Sequence, residues 1–562
     1  MRRFVLITVT ATALLSGMTP AWAEDSAPAP APSAESGAAD GLAERVAAAG
    51  TAGETAAEAK DAAGDALDTV QDLFAKKSRA EAVEQTESGA DPTLALRELS
   101  LRLNALSRAD RNSAYAQFQR PWDDGGSGEA TLSSGNVKVH YLPTSNHPGN
   151  ANATTADWAQ QTLAVLANVS ATYTAAGYRQ PMADAATESD PYSAYNGQAV
   201  NWGGSNQTDI YLADLGDQGI YGYCAYDIDD SGRVVYYPPT NKSNVPAFCV
   251  LDNDFSLSQY RATYTGETSS DILKVTAAHE YFHAVQFAYD ALEDAWIMEA
   301  TAVWAEHQLY PEIPDNRQYL PYSQLRYPGI SLDTWNGAGG ALQYGDWIYF
   351  EYLTERVSTT RTGTLPNLVR RIWEYADSLG ADQYSIQAVT SALAERGKSF
   401  ATTFGQYAAA NRHPATTYAG GSSYPVASPR RTYRVKSGKR RAGSMTIDHL
   451  ASGTIRLVPK KITKKSHRAT IRVNLANRSL GSVAVATIFL RNGKQTTKVI
   501  KLNKKGDGKV RLAFSNRKIQ WVDLTLVNAN TTYSGCSNNT AGYSCGGTPV
   551  HDGLKAKWSL SS

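Results

Sequence analysis

The hydrophobic and polar positions along this chain predict an α+β protein made of two successive modules. In residues 130–430 the periodicity first predicts a strand (Val137 to Leu142), a helix (Asp157 to Ala176) and a second strand (Thr208 to Leu215). A hairpin follows (Cys224 to Ile228 with Arg233 to Tyr237), and then a further strand and helices to about residue 410. Residues 431–562 alternate apolar and polar side chains between Asn-Gly and Gly-Asp-Gly turns, which predicts a C-terminal β-sandwich. The alternating runs are Ala469 to Leu475, Ser482 to Leu490, Lys498 to Leu502, Val510 to Phe514 and Trp521 to Val527.

The first 129 residues divide into three segments. Residues 1–23 combine a charged start, an apolar run and the small-residue cleavage site Ala21-Trp22-Ala23, which predicts a signal peptide and a secreted protein. Residues 24–90 are rich in Ala, Asp, Glu, Gly and Pro and predict a mobile or weakly helical low-complexity leader. In residues 91–129, Asp91-Pro92 and the leucines that follow predict a helix to about residue 118, which is either an inhibitory pro-segment or a helix packed permanently on the next module.

The charges are distributed unevenly, although the chain as a whole is neutral. Residues 431–562 contain 26 Lys and Arg against 4 Asp and Glu, so the remaining residues carry a formal charge of −22. In an exported protein this field predicts contact with an anionic cell-wall polymer or polysaccharide, and no nucleic acid, because few aromatic residues interleave with the lysines. The alternative is that the basic surface docks on the acidic module. No later run reaches 18 apolar residues, so no membrane anchor is expected.

Four cysteines agree with an oxidising compartment. Cys224 and Cys249 are close in sequence, as are Cys536 and Cys545, and the two pairs are far apart. Three connectivities are possible, and two local disulfides are the most economical one.

The candidate chemistry lies in His279-Glu280-Tyr281-Phe282-His283, on a helix predicted from about 270 to 290 with Ser269, Ser270 or Asp271 as its N-cap. Two histidines four residues apart face the same side of a helix, which is the arrangement of zinc hydrolases in which the glutamate is the general base. A catalytic zinc ion takes three protein ligands, and Glu299, on the next predicted helix, is the candidate for the third.

Two further carboxylates are candidates for orienting the histidines. Glu306 follows Glu299 by two helical turns and shares its face, so it either holds a histidine or forms an exposed ion pair. Asp294 either contacts a histidine or caps the second helix, and the cap is favoured.

The two helices resemble those of a known family. His279 to His283, followed by Trp296-Ile297-Met298-Glu299-Ala300-Thr301-Ala302, resembles the gluzincin zinc metallopeptidases related to aminopeptidase N and thermolysin. Residues 150–360 are also similar to secreted bacterial metalloproteases that share H-E-x-F-H-A-V-Q and W-x-x-E-A-T-A-x-W-x-E. Ala300 stands where glycine is commoner, and the gap between the helices is a few residues shorter than in the best-studied members.

The resemblance implies a zincin-like fold and a set of roles. Zinc would be held by His279, His283 and Glu299, with Glu280 as general base and Tyr344 as the donor to the oxyanion; a packed aromatic residue is the alternative for Tyr344. The strand that binds an extended substrate would lie about thirty residues before the motif. Ala247, Phe248, Val250 and Leu251, around Cys249, occupy that interval as an edge strand.

A second metal is only weakly indicated. Asp227 to Gly232 imitates the start of a calcium loop, but Pro238 stands where the bidentate glutamate is needed, so any calcium would be weakly held and a hairpin turn is favoured.

The sequence therefore predicts a secreted zinc peptidase that acts on peptides or proteins. Two alternatives are a non-catalytic protein that binds a cell surface or polyanion on a peptidase-like scaffold, and a zinc amidase with a non-protein substrate.

Overall fold

The computed structural model describes residues 56–77, 81, 92–121, 128–182, 202–227, 243–260, 266–337, 340–536 and 542–562. All of them lie within the unit Gly41–Ser562. The predicted signal peptide, the second arm of the predicted hairpin and the calcium-like loop after Asp227 lie outside the described residues.

Helices and strands alternate in the first part of the chain, and strands dominate the last. The helices are α1 (Ala56–Phe74), α2 (Pro92–Arg102), α3 (Arg108–Gln117), α4 (Ala156–Ala175), α5 (Ser269–Asp290), α6 (Ala295–Leu309), α7 (Leu342–Gly345), α8 (Trp347–Tyr352), α9 (Asn367–Ala376), α10 (Ser385–Ala394) and α11 (Phe400–Ala410). The strands before residue 430 are β1 (Ala130–Ser134), β2 (Val137–Pro143), β3 (Ala153–Thr154), β4 (Thr208–Ala213), β5 (Gly222–Tyr226), β6 (Ala247–Asp252), β7 (Arg361–Thr362) and β8 (Leu365–Pro366). The later strands are β9 (Arg431–Val435), β10 (Arg440–Ile447), β11 (Ala451–Pro459), β12 (Arg468–Asn474), β13 (Ser482–Leu490), β14 (Gln495–Val499), β15 (Asp507–Ala513), β16 (Ile519–Asn528), β17 (Tyr533–Ser534), β18 (Thr548–Pro549) and β19 (Leu554–Ser561). The mixed α+β class is thus confirmed.

The first sheet has the strand order β1-β2-β4-β6-β5, with β3 beside β2. Strands β2, β4 and β6 are parallel to one another, and β1 and β5 are antiparallel edge strands. Alternate side chains point to opposite faces of a strand. Ile210 and Leu251 accordingly pack with α4 and α5 in one core, whereas Tyr211 and Val250 pack in a second core with the N-terminal helices. Helices therefore cover both faces of this sheet.

The description of residues 24–90 as a leader that buries nothing is wrong for α1. Ala63, Leu67, Val70 and Leu73 recur every three or four residues on this helix, so they form one apolar stripe, and all four are buried. The stripe packs on α2 and on the outer face of the sheet. The low average hydrophobicity of the segment concealed this narrow but continuous face.

The helix predicted from residue 91 to about 118 is interrupted. α2 ends at Arg102, a short 3₁₀ turn follows, and Leu106 adopts an extended backbone with ψ 151°. Ser107 then caps α3, because its side chain accepts a hydrogen bond from the Asp110 backbone N–H. The leucine pattern continues through the break, so it did not reveal the local cap.

Residues 431–561 form two sheets that share one hydrophobic core, as the alternation predicted. The four-stranded sheet has the order β10-β19-β12-β15, and the five-stranded sheet has the order β14-β13-β16-β11-β9. The predicted strand Lys498 to Leu502 lies earlier, at Gln495–Val499. Strands β9, β10, β11 and β19 were not predicted; the exposed arginines of β9 and β10 obscure their alternation.

The five-stranded sheet is the surface that docks on the helical module. α11 packs against β13 and β16, and Val483 meets the backbone of Gly405 in α11 so closely that no side chain fits there. Arg412, from the helical side, pairs with buried Asp523 at 3.3 Å. These contacts come from the five-stranded sheet, and the docking of the basic surface on the acidic module stays a prediction.

No helix among the described residues is both long enough and apolar enough to cross a bilayer.

Candidate metal centre

Helix α5 carries the motif and begins at a capping box. The Thr268 side chain accepts from the Asp271 N–H, and the Asp271 carboxylate accepts from the Thr268 N–H. The N-cap is therefore Thr268, one residue before the predicted Ser269. From this fixed start the helix is buried along nearly its whole length, which excludes water from the motif.

Helices α5 and α6 bring the three predicted ligands together. His279 Nε2 lies 3.3 Å from Glu299 Oε2, His283 Nε2 lies 3.7 Å from the same oxygen, and the two Nε2 atoms are 3.0 Å apart. These three residues form a buried group whose ligand atoms could hold one metal ion.

The spacing of these atoms fits zinc. Tetrahedral zinc–nitrogen and zinc–oxygen bonds of about 2.0–2.1 Å place neighbouring ligand atoms roughly 3.3 Å apart. Neither Glu299 oxygen accepts a hydrogen bond from a described residue, although the side chain is fully buried. A buried carboxylate without such a bond is costly, and a cation between Glu299 and the two imidazoles would remove that cost.

The other ring nitrogen of each histidine is held by a neighbour. His279 Nδ1 lies 2.6 Å from Glu306 Oε1, so the structure places Glu306 in the orienting position that its helical face indicated. His283 Nδ1 lies 2.7 Å from Gln286 Oε1, and Gln286 Nε2 donates to Met298 O at 2.9 Å. An amide oxygen only accepts, so His283 Nδ1 carries the hydrogen and Nε2 presents its lone pair to Glu299 and His279.

Gln286 was not identified from the sequence. The sequence spacing nevertheless indicates the contact: Gln286 follows His283 by three residues on the same helix, and side chains at this spacing are neighbours.

Glu280 is buried beside the triad at 3 % exposure. Its Oε2 accepts a hydrogen bond from Thr93 Oγ1 of α2 at 3.4 Å. A Cβ at Gly222 of β5 would lie only 2.9 Å from Glu280 Cγ, so glycine is what allows this edge strand to approach Glu280.

Tyr344 lies at the site, on the short helix α7. Its ring stacks 6.2 Å from the His279 ring and 5.0 Å from the Tyr319 ring. The structure thus places the predicted tyrosine beside His279.

Asp294 does not contact the histidines, so its assignment as a residue that supports them is wrong. It occupies the N-cap position of α6, but its side chain makes no cap hydrogen bond. The carboxylate accepts instead from Ser385 Oγ at 2.5 Å and from the Cys545 N–H at 2.7 Å, and so joins α6 to the C-terminal module.

The predicted substrate strand exists as β6, but it is not an edge strand. β4 pairs with one side of it and β5 with the other. The backbone groups of Ala247, Phe248, Val250 and Leu251 are therefore engaged within the sheet and cannot pair with a peptide. Among the described residues, antiparallel β5 is the edge strand at this end of the sheet.

Both predicted disulfides are present, Cys224–Cys249 and Cys536–Cys545. The first joins neighbouring strands β5 and β6 directly beneath α5, where Cys224 Sγ lies 3.0 Å from the Glu280 carbonyl oxygen.

The electrostatics around the triad favour a cation. Burial raises the pKa of Glu306, although its hydrogen bond and the charge of His279 act in the opposite direction. Loss of solvent and repulsion by Glu306 and Glu267 raise the pKa of Asp315 to about 8. Among the described residues, Glu299 and Glu306 pair with His279 and His283 and with no Lys or Arg.

No protein-family model and no curated protein matches this chain. Among solved structures, the pre-peptidase C-terminal domain of a collagenase from Bacillus anthracis matches 24% of this chain and 96% of that domain, at 12% identity and a TM-score of 0.15. CorA, a surface-associated copper-binding protein of Methylomicrobium album BG8, covers 23% of this chain and 98% of its own, at 12% identity and a TM-score of 0.13. A β-glucosidase from Paenibacillus barengoltzii matches 23% of this chain and 11% of that enzyme, at 10% identity and a TM-score of 0.12. TM-scores this low carry no argument about the activity of the chain.

Proposed function

We propose that this protein is an exported zinc-dependent peptidase with a zincin-like catalytic module, in which His279, His283 and Glu299 hold the metal. The observation that carries the proposal is the convergence of two Nε2 atoms and one carboxylate oxygen within 3.0 to 3.7 Å in a buried site. A three-ligand zinc site leaves one coordination position open, which is the arrangement of catalytic rather than structural zinc.

The residues of the chain divide the work between binding and proton transfer. When bound, zinc would act as a Lewis acid, which polarises a carbonyl group and lowers the pKa of water. Glu280 follows His279 directly on α5 and acts as the general base, taking a proton from the attacking water and passing it to the leaving amine. Glu306 and Gln286 hold His279 and His283 in the orientation that points Nε2 at the metal. Tyr344 is the candidate donor to the oxyanion.

Peptides are the proposed substrates because edge strand β5 lies beside Glu280. An extended peptide that adds to a sheet edge is bound through its backbone hydrogen bonds, and this places one of its carbonyl groups near the general base. The disulfides are compatible with an extracellular protein, which agrees with the signal peptide proposed for residues 1–23.

The test is to incubate the purified protein, with and without a chelator, with a mixed peptide library and to identify the products by mass spectrometry. Internal cuts that disappear with chelator would indicate an endopeptidase, and stepwise loss from the amino end an aminopeptidase. A zinc-loaded protein that gives no product, even after the N-terminal helices are released, contradicts the peptidase and leaves an amidase or a non-catalytic binding protein.

Two variants separate metal binding from catalysis. Glu280→Gln removes the base but no ligand, so we expect about one zinc per chain and no hydrolysis. Glu299→Ala removes a ligand, so we expect zinc to be lost at concentrations that saturate the unmodified protein. Full activity in Glu280→Gln would exclude Glu280 as the base.

A further inference from the structure

The outer face of the four-stranded sheet holds a cleft lined by five cations. Its volume is about 800 Å³, and Arg440, Arg472, Lys501, Lys509 and Lys557 line it. All five residues are exposed, and none forms an ion pair with a described residue. The cleft faces away from the docking surface, which lies on the five-stranded sheet.

Two of these cations repel each other across neighbouring strands. Arg472 of β12 and Lys509 of β15 are direct cross-strand partners, and like charges in such pairs destabilise a sheet. The only acidic residue in the cleft, Asp507, accepts hydrogen bonds from Asn474 Nδ2 at 2.7 Å and Asn503 Nδ2 at 3.3 Å. No described residue forms an ion pair with Arg472 or Lys509, so an anionic ligand bound between them would reduce their mutual repulsion.

The other groups in the cleft match a carbohydrate better than a nucleic acid. The Ser559 hydroxyl and the amide oxygen of Asn474 are groups that can bond to sugar hydroxyls, whereas the Nδ2 groups of Asn474 and Asn503 are engaged by Asp507. The one aromatic residue, Trp558, is only 4 % exposed and packs against Tyr433, so it offers no surface on which bases could stack. We propose that this cleft binds an acidic polysaccharide, with the five cations pairing with its carboxylates.

The test compares the full chain with Arg472→Gln/Lys509→Gln by isothermal titration with polygalacturonate. We expect the double variant to bind about tenfold or more weakly, and binding of the unmodified chain to weaken as salt is raised. The matched control is Lys464→Gln/Lys465→Gln, which removes the same charge from exposed positions outside the cleft and should bind nearly as tightly as the unmodified chain.

Three results would overturn the assignment: no binding of polygalacturonate by the unmodified chain, an equal loss in both double variants, or tighter binding of single-stranded DNA than of polygalacturonate. The measurement does not depend on hydrolysis, so it stands apart from the proposed peptidase activity.

A second inference concerns the first turn of α2, and it rests on the proposed function. Thr93 is 1 % exposed and lies between edge strand β5 and Glu280. Its Oγ1 accepts the Cys224 N–H at 2.9 Å and donates to Glu280 Oε2 at 3.4 Å. Thr93 thus occupies both groups that an extended substrate would need, the strand edge and the general base.

The rest of the segment anchors this contact. Arg97, 2 % exposed, donates to Ala291 O and Glu293 O at 2.6 Å each, at the end of α5. Helix α1 packs behind α2 through its apolar stripe. His279, Glu280 and His283 are only 7, 3 and 0 % exposed in this conformation, and α2 contributes to that burial at Glu280 through Thr93.

We infer that α1 and α2 form an inhibitory segment in which Thr93 takes the place of substrate. This segment moves away from β5 and Glu280 before hydrolysis. This favours the first of the two alternatives raised by the sequence, a pro-segment rather than a permanently packed helix.

A single substitution tests the contact in the full chain. Thr93→Ala removes the hydrogen bonds that join α2 to Cys224 and Glu280, so we expect peptide hydrolysis to rise about fivefold or more. Ser100→Ala is the matched control, because Ser100 is also buried in α2 but donates only within its own helix, to Arg97 O. An unchanged rate in Thr93→Ala, or an equal rise in both variants, would overturn the inference.

A second experiment separates this inference from the proposed function. A site-specific protease sequence inserted ahead of Glu129 allows the folded, zinc-loaded chain to be cut between the segment and β1. After cutting we expect faster hydrogen exchange at Gly222–Tyr226, where Cys224 loses its partner, together with at least tenfold faster hydrolysis. Faster exchange without hydrolysis refutes the peptidase but keeps the covering segment. Unchanged exchange, or hydrolysis as fast before cutting as after, refutes the inhibitory segment.

Discussion

At the scale of single residues, the geometry of the candidate metal centre depends on which atoms of each side chain already contact a neighbouring side chain. Glu306 and Gln286 each contact the Nδ1 atom of one histidine, and the Nε2 atoms of both histidines lie on the side of Glu299. Glu299 receives no hydrogen bond from the described residues, in contrast to these supporting groups. A buried carboxylate without a hydrogen bond from the described residues is costly, and a cation bound beside the two oriented imidazoles would offset that cost.

Glu306→Gln tests the supporting role. The amide keeps the size of the side chain but removes the charge that strengthens the His279 ligand, so we expect zinc affinity to fall about tenfold. Competition with a chromogenic chelator measures it. Glu351→Gln is the control, since Glu351 also pairs with a histidine, His307 at 3.6 Å, but away from the triad. Equal effects of both substitutions would show that general destabilisation, and not histidine orientation, is the cause.

At the scale of elements, the start of α5 sets the position of the motif. Thr268 and Asp271 satisfy each other's backbone N–H groups, and the first turn is thereby closed. His279 follows Asp271 by eight residues, so fraying of the first turn stops short of the ligands.

Thr268→Ala should loosen this turn locally. Loss of the cap costs about 1 kcal/mol, which corresponds to roughly fivefold faster hydrogen exchange in the first turn of α5. Zinc affinity should change little. Ser269→Ala is the control because Ser269 is the first helical residue and does not fill the cap position. Exchange that rises equally in both variants would mean that the capping box does not hold the turn.

At the scale of the whole molecule, buried His449 joins the helical and two-sheet modules through two carboxylates, of which Asp333 is buried and Asp552 is exposed. His449 Nε2 lies 3.0 Å from Asp333 Oδ1, and His449 Nδ1 lies 3.2 Å from Asp552 Oδ1. Burial alone lowers the pKa of His449, but the hydrogen bonds and charges of Asp333 and Asp552 outweigh it and raise that pKa. Burial raises the pKa of Asp333, yet the hydrogen bond and charge of His449 dominate and lower it.

This cluster predicts a stability maximum in mildly acidic solution. A raised histidine pKa stabilises fully below the unfolded value of about 6.5, and that stability is lost as pH rises through the folded pKa. A lowered aspartate pKa stabilises above about 3.9, and that stability is lost as pH falls through the folded pKa. The contribution is therefore greatest between about pH 4 and pH 6.5.

His449→Gln should remove this dependence. We expect about 2 kcal/mol of lost stability near pH 5.5 and a smaller loss in alkaline solution, because the stabilisation by a histidine with a raised pKa is lost as pH rises through that pKa. Thermal unfolding across this pH range measures the difference. His413→Gln is the control, because the His413 ring contacts Thr416 Oγ1 and no described carboxylate. A Tm difference that stays constant with pH would contradict the charged pair.

The sequence by itself determined the local features, because each depends on residues close in the chain. The two histidines at helical spacing, the cysteine pairs and most strand periodicities can be identified from neighbours alone, and the structure brings His279, His283 and Glu299 together as predicted. The tertiary structure decided what depends on distant segments. Only the strand order shows that β6 is internal and β5 is at the edge, and only packing shows that α1 is buried, that Asp294 turns to Cys545 and that Thr93 reaches Glu280 across 187 positions of sequence. Periodicity records which face of an element is buried, but it carries no information about which other element covers that face.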